Sequence, residues 1–223
     1  MLPRTLDILW TYRTGLLGGL IVTLELAALI WGVGIILGTI LGLLAQKMPR
    51  SFGYPVRIAA SFLSAVPALV LIFWAYFPLQ MLLGVDIDPF WTAGSTLALL
   101  NTISVADIIR NLLTDFPPQY RDAARVCGLS ASTTFLRIEL PLVIRQAIPS
   151  LLLLQVTMLH LTLFASLISV EDLFRVVQRI NSSIYRPVEI YSALGLLFVA
   201  ICLPIQLIAA RLQRRFSLTL QER

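Results

Sequence analysis

The sequence predicts an all-α fold: an integral membrane helical bundle of five transmembrane helices. Three observations predict it. Hydrophobic residues make up 58% of the 223 residues and charged residues only 13%, where a soluble domain is closer to half apolar and a quarter charged. Five apolar runs are each long enough to cross about 30 Å of hydrocarbon. These runs are continuous and lack the two-residue alternation of a membrane β-barrel.

Residues 1–14 mix Leu2, Leu6, Leu9, Trp10 and Tyr12 with Arg4, Asp7 and Arg13. That pattern predicts an amphipathic segment lying on the membrane. No basic stretch followed by a short apolar core and a small-residue cleavage site is present, so no removable signal peptide is expected. The first span, about 16–44, is overlong and should tilt. Its glycines Gly32, Gly34, Gly38 and Gly42 include the small-xxx-small spacing of close helix contact in lipid. The second span, about 58–83, is interrupted by Pro67 and Pro78, and the third runs over about 90–109. The fourth, about 147–169, has Pro149 at its start, and the fifth, about 188–210, holds Pro204. Pro67, Pro78 and Pro204 are candidate kinks. Phe73, Trp74, Tyr76 and Phe77 read as an interfacial belt or packing surface.

Between the third and fourth spans lies the longest polar interruption, 120–141, YRDAARVCGLSASTTFLRIELP. It reads as two short helices. The first covers about 119–127 and ends at Gly128, where a left-handed stop is needed. Ser130 or Ser132 can cap the second, and Pro141 should limit it, since a residue before proline leaves the α region. Such a unit cannot bury itself in lipid and should dock on something.

The net charge of +5 does not point to nucleic acid, because the cations sit in short loops between spans. Lys47, Arg50, Arg57, Arg110, Arg121, Arg125, Arg137, Arg145, Arg211, Arg214, Arg215 and Arg223 fall on one side. Arg4, Arg13, Arg175, Arg179 and Arg186 fall on the other. The bias predicts the N-terminus outside and the C-terminus in the cytoplasm, and places the 112–146 loop and a 213–223 tail inside. Cys127 and Cys202 imply no disulfide framework. One histidine and no Cys/His cluster imply no metal. No Gly-x-x-x-x-Gly-Lys-Ser/Thr sequence is present, so no catalytic residues and no cofactor are expected on this chain.

Glu25 lies well inside the first span, where a charge usually faces a cavity or a partner; it can equally serve as a buried carboxyl that holds helices together. Gln155, His160 and Thr162 lie mid-span on the fourth helix and suit a bundle interior, as solute-path groups or as helix contacts. Asp107 and Arg110, three apart, can pair.

The 120–141 stretch resembles the "EAA loop" of ABC importer permeases. Asp122-Ala123-Ala124, then Gly128, then Ile138-Glu139-Leu140-Pro141 stand where the motif has Glu-Ala-Ala, Gly and Ile-x-Leu-Pro. Shorter likenesses to permeases of polar amino acid importers extend over about 15–212. They are Gly15–Leu24, Asp107-Ile108-Ile109-Arg110, His160-Leu161-Thr162-Leu163 and Ser169-Val170-Glu171-Asp172-Leu173. The departures are Asp122 for Glu, Ser64-Ala65-Val66-Pro67 in place of Arg-Gly-Thr-Pro, Gln119-Tyr120 in place of Gly-Gln, His160 for lysine and Leu163 for serine. The resemblance implies a 15–212 permease domain of the type I importer kind in a bacterial inner membrane. It implies Arg121, Asp122, Ala123, Ala124, Arg125, Gly128 and Pro141 in coupling to an ATPase. It also places Ser64, Pro67 and His160 near a solute path, to which the polar span residues Glu25, Gln155 and Thr162 are added as candidates. The partners implied are ABC ATPase subunits holding ATP and Mg, a second permease subunit (identical or not), and an extracytoplasmic solute-binding protein. A membrane scaffold using the same loop, or a secondary transporter, are the alternatives; no inverted repeat supports the latter.

Overall fold

The structure is a computed structural model that describes Ile8 and residues 10–221, with side chains through Phe216. Most of the predicted 1–14 segment lies outside the described residues. The part within them is helical, and the Arg13 guanidinium sits 4.6 Å from the centre of the Trp10 ring.

Among the described residues all regular structure is helical. Helix α1 is Arg13–Lys47. After a wide π-helical turn, Pro49–Gly53, come α2 (Tyr54–Ala65) and α3 (Ala68–Trp74). A second π-helical turn, Ala75–Leu79, joins α3 to the short α4 (Gln80–Leu83). Helix α5 is Pro89–Thr114, α6 is Pro118–Val126 and α7 is Ala131–Thr134. A third π-helical turn, Phe135–Glu139, leads into α8 (Leu140–Leu161), which ends in a tighter 3-10 stretch, Thr162–Ile168. Helix α9 is Leu173–Ile184 and α10 is Pro187–Gln221.

Four helical stretches are long and apolar enough to cross a membrane: Arg13–Lys47, Pro89–Thr114, Ala131–Ile168 and Pro187–Phe216. The second predicted span is not one rod. The Pro49–Ala65 and Ala68–Leu83 halves meet at 99°. Val66 and Pro67 adopt extended backbone there, at ψ 126° and 133°, as the restriction of a pre-proline residue dictates.

The bundle is built on α1, α5 and α8. Gly34, Gly38 and Gly42 lie on the α5 face of α1 and let the backbones approach. A Cβ on Gly34 would overlap Asn101, and one on Gly38 would stand 2.7 Å from the Thr102 carbonyl oxygen. One on Gly42 would stand 2.8 Å from that of Ala106. Lipid tails are as apolar as leucine, so close packing of this kind replaces the hydrophobic drive of a soluble core. Gly32 faces open space instead. Leu26 and Ile30 of α1, Leu97 of α5 and Met158 of α8 meet in the middle, with Ile72 of α3. Val105, Ile109 and Leu113 of α5 meet Val143 and Ala147 of α8 at one end. Leu159, Val177, Ile190 and Phe198 join α8, α9 and α10 at the other.

Three boundaries depart from the sequence reading. The 169–187 stretch is not a loop: Asp172 Oδ1 accepts the Arg175 amide at 2.8 Å and caps α9. The last helix runs unbroken through Gln221, past the tail boundary expected at 213. Pro141 does not stop a helix. Leu140 stays in the α region at φ −60°, ψ −47°, so the second short helix runs into the fourth span, and Pro149 lies inside it. The π-helical turn just before Pro141 is the physical reason: it moves the carbonyl that the proline ring would otherwise strike.

Candidate functional site

The 118–139 unit forms as its local chemistry requires. Pro118 occupies the first position of α6, where no amide partner is needed. The helix ends at Gly128, whose φ is +75°. There the Leu129 amide donates to Ala124 O at 3.0 Å and the Gly128 amide to Arg125 O at 2.9 Å, the paired closure of a Schellman stop. Ser130 Oγ accepts the Thr133 amide at 3.2 Å and starts α7.

Helix α6 has two faces. Gln119, Asp122, Ala123 and Val126 are exposed, Val126 at 90%. Ala124 is buried against the chain itself. Asp122 and Arg125 form an exposed ion pair at 3.3 Å, which contributes little by itself. Arg121 points the other way. Its Nε donates to Glu139 Oε2 at 3.1 Å and its Nη2 to Leu113 O at 3.2 Å; Nη2 also bonds Glu139 Oε1. The guanidinium carbon lies 5.4 Å from the centre of the buried Phe116 ring. The hydrogen bond to Glu139 raises the Arg121 pKa above its ordinary value, against the lowering effect of burial. Glu139, only 6% exposed, was not singled out from sequence; its place eighteen residues after Arg121, across a bend, gave no helical register to detect. Beside the unit, a cavity of about 720 Å³ lies between Leu43, Lys47, Arg121, Arg125 and Phe135.

A polar trough starts at the same end. Two adjoining cavities, of about 520 and 510 Å³, share Ala60, Ser64 and Asp107. The outer one adds Arg57, Ser61, Arg110 and Asn111. The inner one is mostly apolar, with Leu63, Leu100, Ile103 and Leu161; it adds Ser104 and Thr157 and reaches Val66 and Ala68 on either side of Pro67. Arg110 donates to Asp107 at 2.9 Å and to Asn111 at 2.6 Å. Ser64, Ser104 and Thr157 each donate to the carbonyl four residues back, at 2.7, 2.9 and 3.2 Å. Their oxygens keep lone pairs to accept from a solute. Arg57 supplies a donor and Asp107 further acceptors.

The other polar span residues do not converge on this trough. Gln155 and Asn101 form a buried reciprocal amide pair at 2.9 and 3.2 Å. Asn101 also donates to Ile30 O at 2.9 Å, and Trp31 Nε1 to Gln155 O at 3.1 Å. The Asn101 amide thus ties α1, α5 and α8 together. Thr162 is buried and donates to Leu159 O at 2.7 Å. His160 is exposed, 3.5 Å from Cys202 Sγ on α10. Glu25 is exposed on α1, toward neither trough nor core. Asn101, Ser104, Trp31 and Thr157 were missed from sequence. Asn101 alone carried a signal, an amide inside an apolar run. Among the described residues no three His, Cys, Asp or Glu side chains gather as a metal site would require.

Known proteins share this architecture. The family described as binding-protein-dependent transport system inner membrane component matches residues 34–218. The octopine transport system permease protein OccM of Rhizobium meliloti is 31% identical, over 92% of this chain and 85% of that protein. The glutamine transport system permease protein GlnP of Escherichia coli K12 is 30% identical, over 83% and 87%. A crystal structure of an amino acid ABC transporter with histidines superposes with a TM-score of 0.84 at 25% identity, covering 93% of this chain and 96% of that one. An inward-facing form of the MetNI methionine ABC transporter, at 16% identity, shares the fold with a TM-score of 0.75.

Proposed function

The chain belongs to the binding-protein-dependent transport system inner membrane components, and from that premise we propose that its solute is an amino acid or a close relative. It is the permease subunit of an ABC importer, a translocation component whose ATPase activity resides on a separate subunit. That membership displaces the scaffold and secondary-transporter readings.

The solute class rests on the relatives and on the trough. An amino acid carries an ammonium, a carboxylate and a polar backbone of small reach. Asp107 and the hydroxyls of Ser64, Ser104 and Thr157 suit the first; Arg57 suits the second. Of the solute-path residues expected from sequence, Ser64 lines this trough, whereas Gln155 and Thr162 spend their polar groups inside the bundle.

The observation that carries the coupling reading is the two-faced α6. Its outward residues, Asp122, Ala123 and Val126, offer a small, partly apolar ridge of the kind that seats in a groove. ATP and Mg then belong to the ATPase beneath it. The cation bias puts this end in the cytoplasm and the N-terminus outside. A solute-binding protein would dock at the other end, around α9 and the acidic turn of Asp86 and Asp88. Helix α2 supports a second permease subunit: Arg57, Ser61 and Ser64 lie on an exposed side of the bundle, so the trough has one open wall.

The test is uptake by the purified whole transporter in proteoliposomes, with a panel of radiolabelled L-amino acids. ATP-dependent accumulation of at least one is expected. Accumulation of none, with ATP hydrolysis intact and other small polar solutes taken up, would overturn the solute class.

A further inference from the structure

We infer that Arg121 and Glu139 are positioning residues that weld α6 to the span α8, so that ATPase movement reaches the span as the swing of one rigid lever. The inference rests on the coupling reading of α6. A helix–glycine–helix bend held only by the two backbone hydrogen bonds of its Schellman stop is a weak joint, and no side chain packs around Gly128 to stiffen it. A pivot there would dissipate any push applied to α6. The structure closes it. The Arg121 fork holds the Glu139 carboxylate by two hydrogen bonds from α6 to the turn that opens α8. Nη2 also donates to the Leu113 carbonyl, one of the unpaired acceptors at the end of α5. The Phe116 ring packs beside the guanidinium. One side chain thus fixes the end of α5, the linking turn, α6 and the start of α8. Glu139 is nearly fully buried, so loss of its partner would leave a carboxylate unpaired away from water, which strongly disfavours the locked geometry. Arg121 is therefore not one of the charges offered to the ATPase. Asp122 and Arg125, exposed beside it, remain for that.

The test uses the whole transporter in proteoliposomes. ATP hydrolysis and uptake of a radiolabelled mixture of L-amino acids are measured together, with co-purification of the ATPase. In R121A and E139Q the ATPase should stay bound and hydrolysis should continue, while solute moved per ATP falls several-fold. R121K, which keeps charge but loses the fork, should fall between. The exchange R121E/E139R should restore most of the ratio. A purely structural role would lower yield and both activities together and leave the ratio unchanged, so an unchanged ratio overturns the inference. Failure of the exchange to rescue overturns it too. E139Q, which keeps shape and an acceptor, gives the reading if R121A fails to fold. Val126→Asp, on the outward face, tests the premise separately: normal ATPase retention and normal uptake there would refute docking through α6 whatever the Arg121 variants do.

Discussion

Gly38 and Gly32 lie on the same helix, six residues apart, and should respond oppositely to the same methyl group. At Gly38 a Cβ would stand 2.6 Å from Val105 Cβ, 2.7 Å from the Thr102 carbonyl oxygen and 2.8 Å from Val105 Cγ1. Ordinary contact needs a further ångström or so. The blocking atoms are backbone and a β-branched side chain close to its own backbone, so neither can swing aside. Helices α1 and α5 must separate, and overpacking of this kind costs about 1–3 kcal/mol. Replacing glycine by alanine in a helix returns up to about 1 kcal/mol. The net for Gly38→Ala is a loss of roughly 0–3 kcal/mol, and for Gly38→Val, with two more carbons, a larger one. Gly32 has nothing within 4 Å, so Gly32→Ala should be neutral or stabilising by up to about 1 kcal/mol. Thermal unfolding of the chain purified alone in detergent would separate them. Equal melting of Gly38→Val and wild type, or a larger loss at Gly32→Ala than at Gly38→Ala, would refute the claim that glycine approach holds α1 on α5.

Gly128→Asp should leave membrane insertion intact but weaken ATPase pull-down and uptake, because a non-glycine at φ +75° is strained by roughly 1 kcal/mol or more; normal pull-down and uptake would contradict this. Cys127 is exposed while Cys202 is buried, so an impermeant thiol reagent should label wild-type protein in inverted membrane vesicles and not in intact cells. Labelling in intact cells would reverse the orientation. Asp172 is pushed up to about 7 from an ordinary 3.8, chiefly by burial, with Glu171 adding to the rise and the Arg175 amide opposing it. A raised acid makes the fold more stable when protonated, so its stability is fully present below about pH 4 and is lost by about pH 7. Asp172→Asn should therefore match wild type near pH 4 and melt higher by pH 8, by up to a few kcal/mol; a pH-independent difference would sink this.

What could be read from sequence tracked the strongest local physics. Apolar runs fixed the spans, since a chain in lipid has few ways to satisfy its backbone. Gly128 and Ser130 announced a helix stop and a cap, and both have that geometry. Gly34, Gly38 and Gly42 announced a close contact without naming the partner helix. Gln155 shows the limit. A lone amide inside an apolar run says that it needs a partner, but only the packing of α5 on α8 shows that the partner is Asn101. Glu139 failed for the same reason, its partner lying eighteen residues away across a bend.

Proline misled most. Read locally, Pro141 should end a helix, because its ring strikes the carbonyl four residues back and it has no amide to give. The chain places a wide turn at that point instead. For Pro141 and Pro55 the carbonyls at risk belong to Arg137 and Ser51, inside the turns Phe135–Glu139 and Pro49–Gly53; Pro78 lies within a third, Ala75–Leu79. A π-helical turn adds a residue, relieves the clash and rotates the downstream helix by about a residue's step. At Pro141 that step coincides with the burial of Glu139 beside Arg121. Pro67 has no such turn, and there the helix breaks by 99°. Pro149 and Pro204 stay inside regular helix with no such turn, so a wide turn is one way for a helix to pass a proline and not the only one.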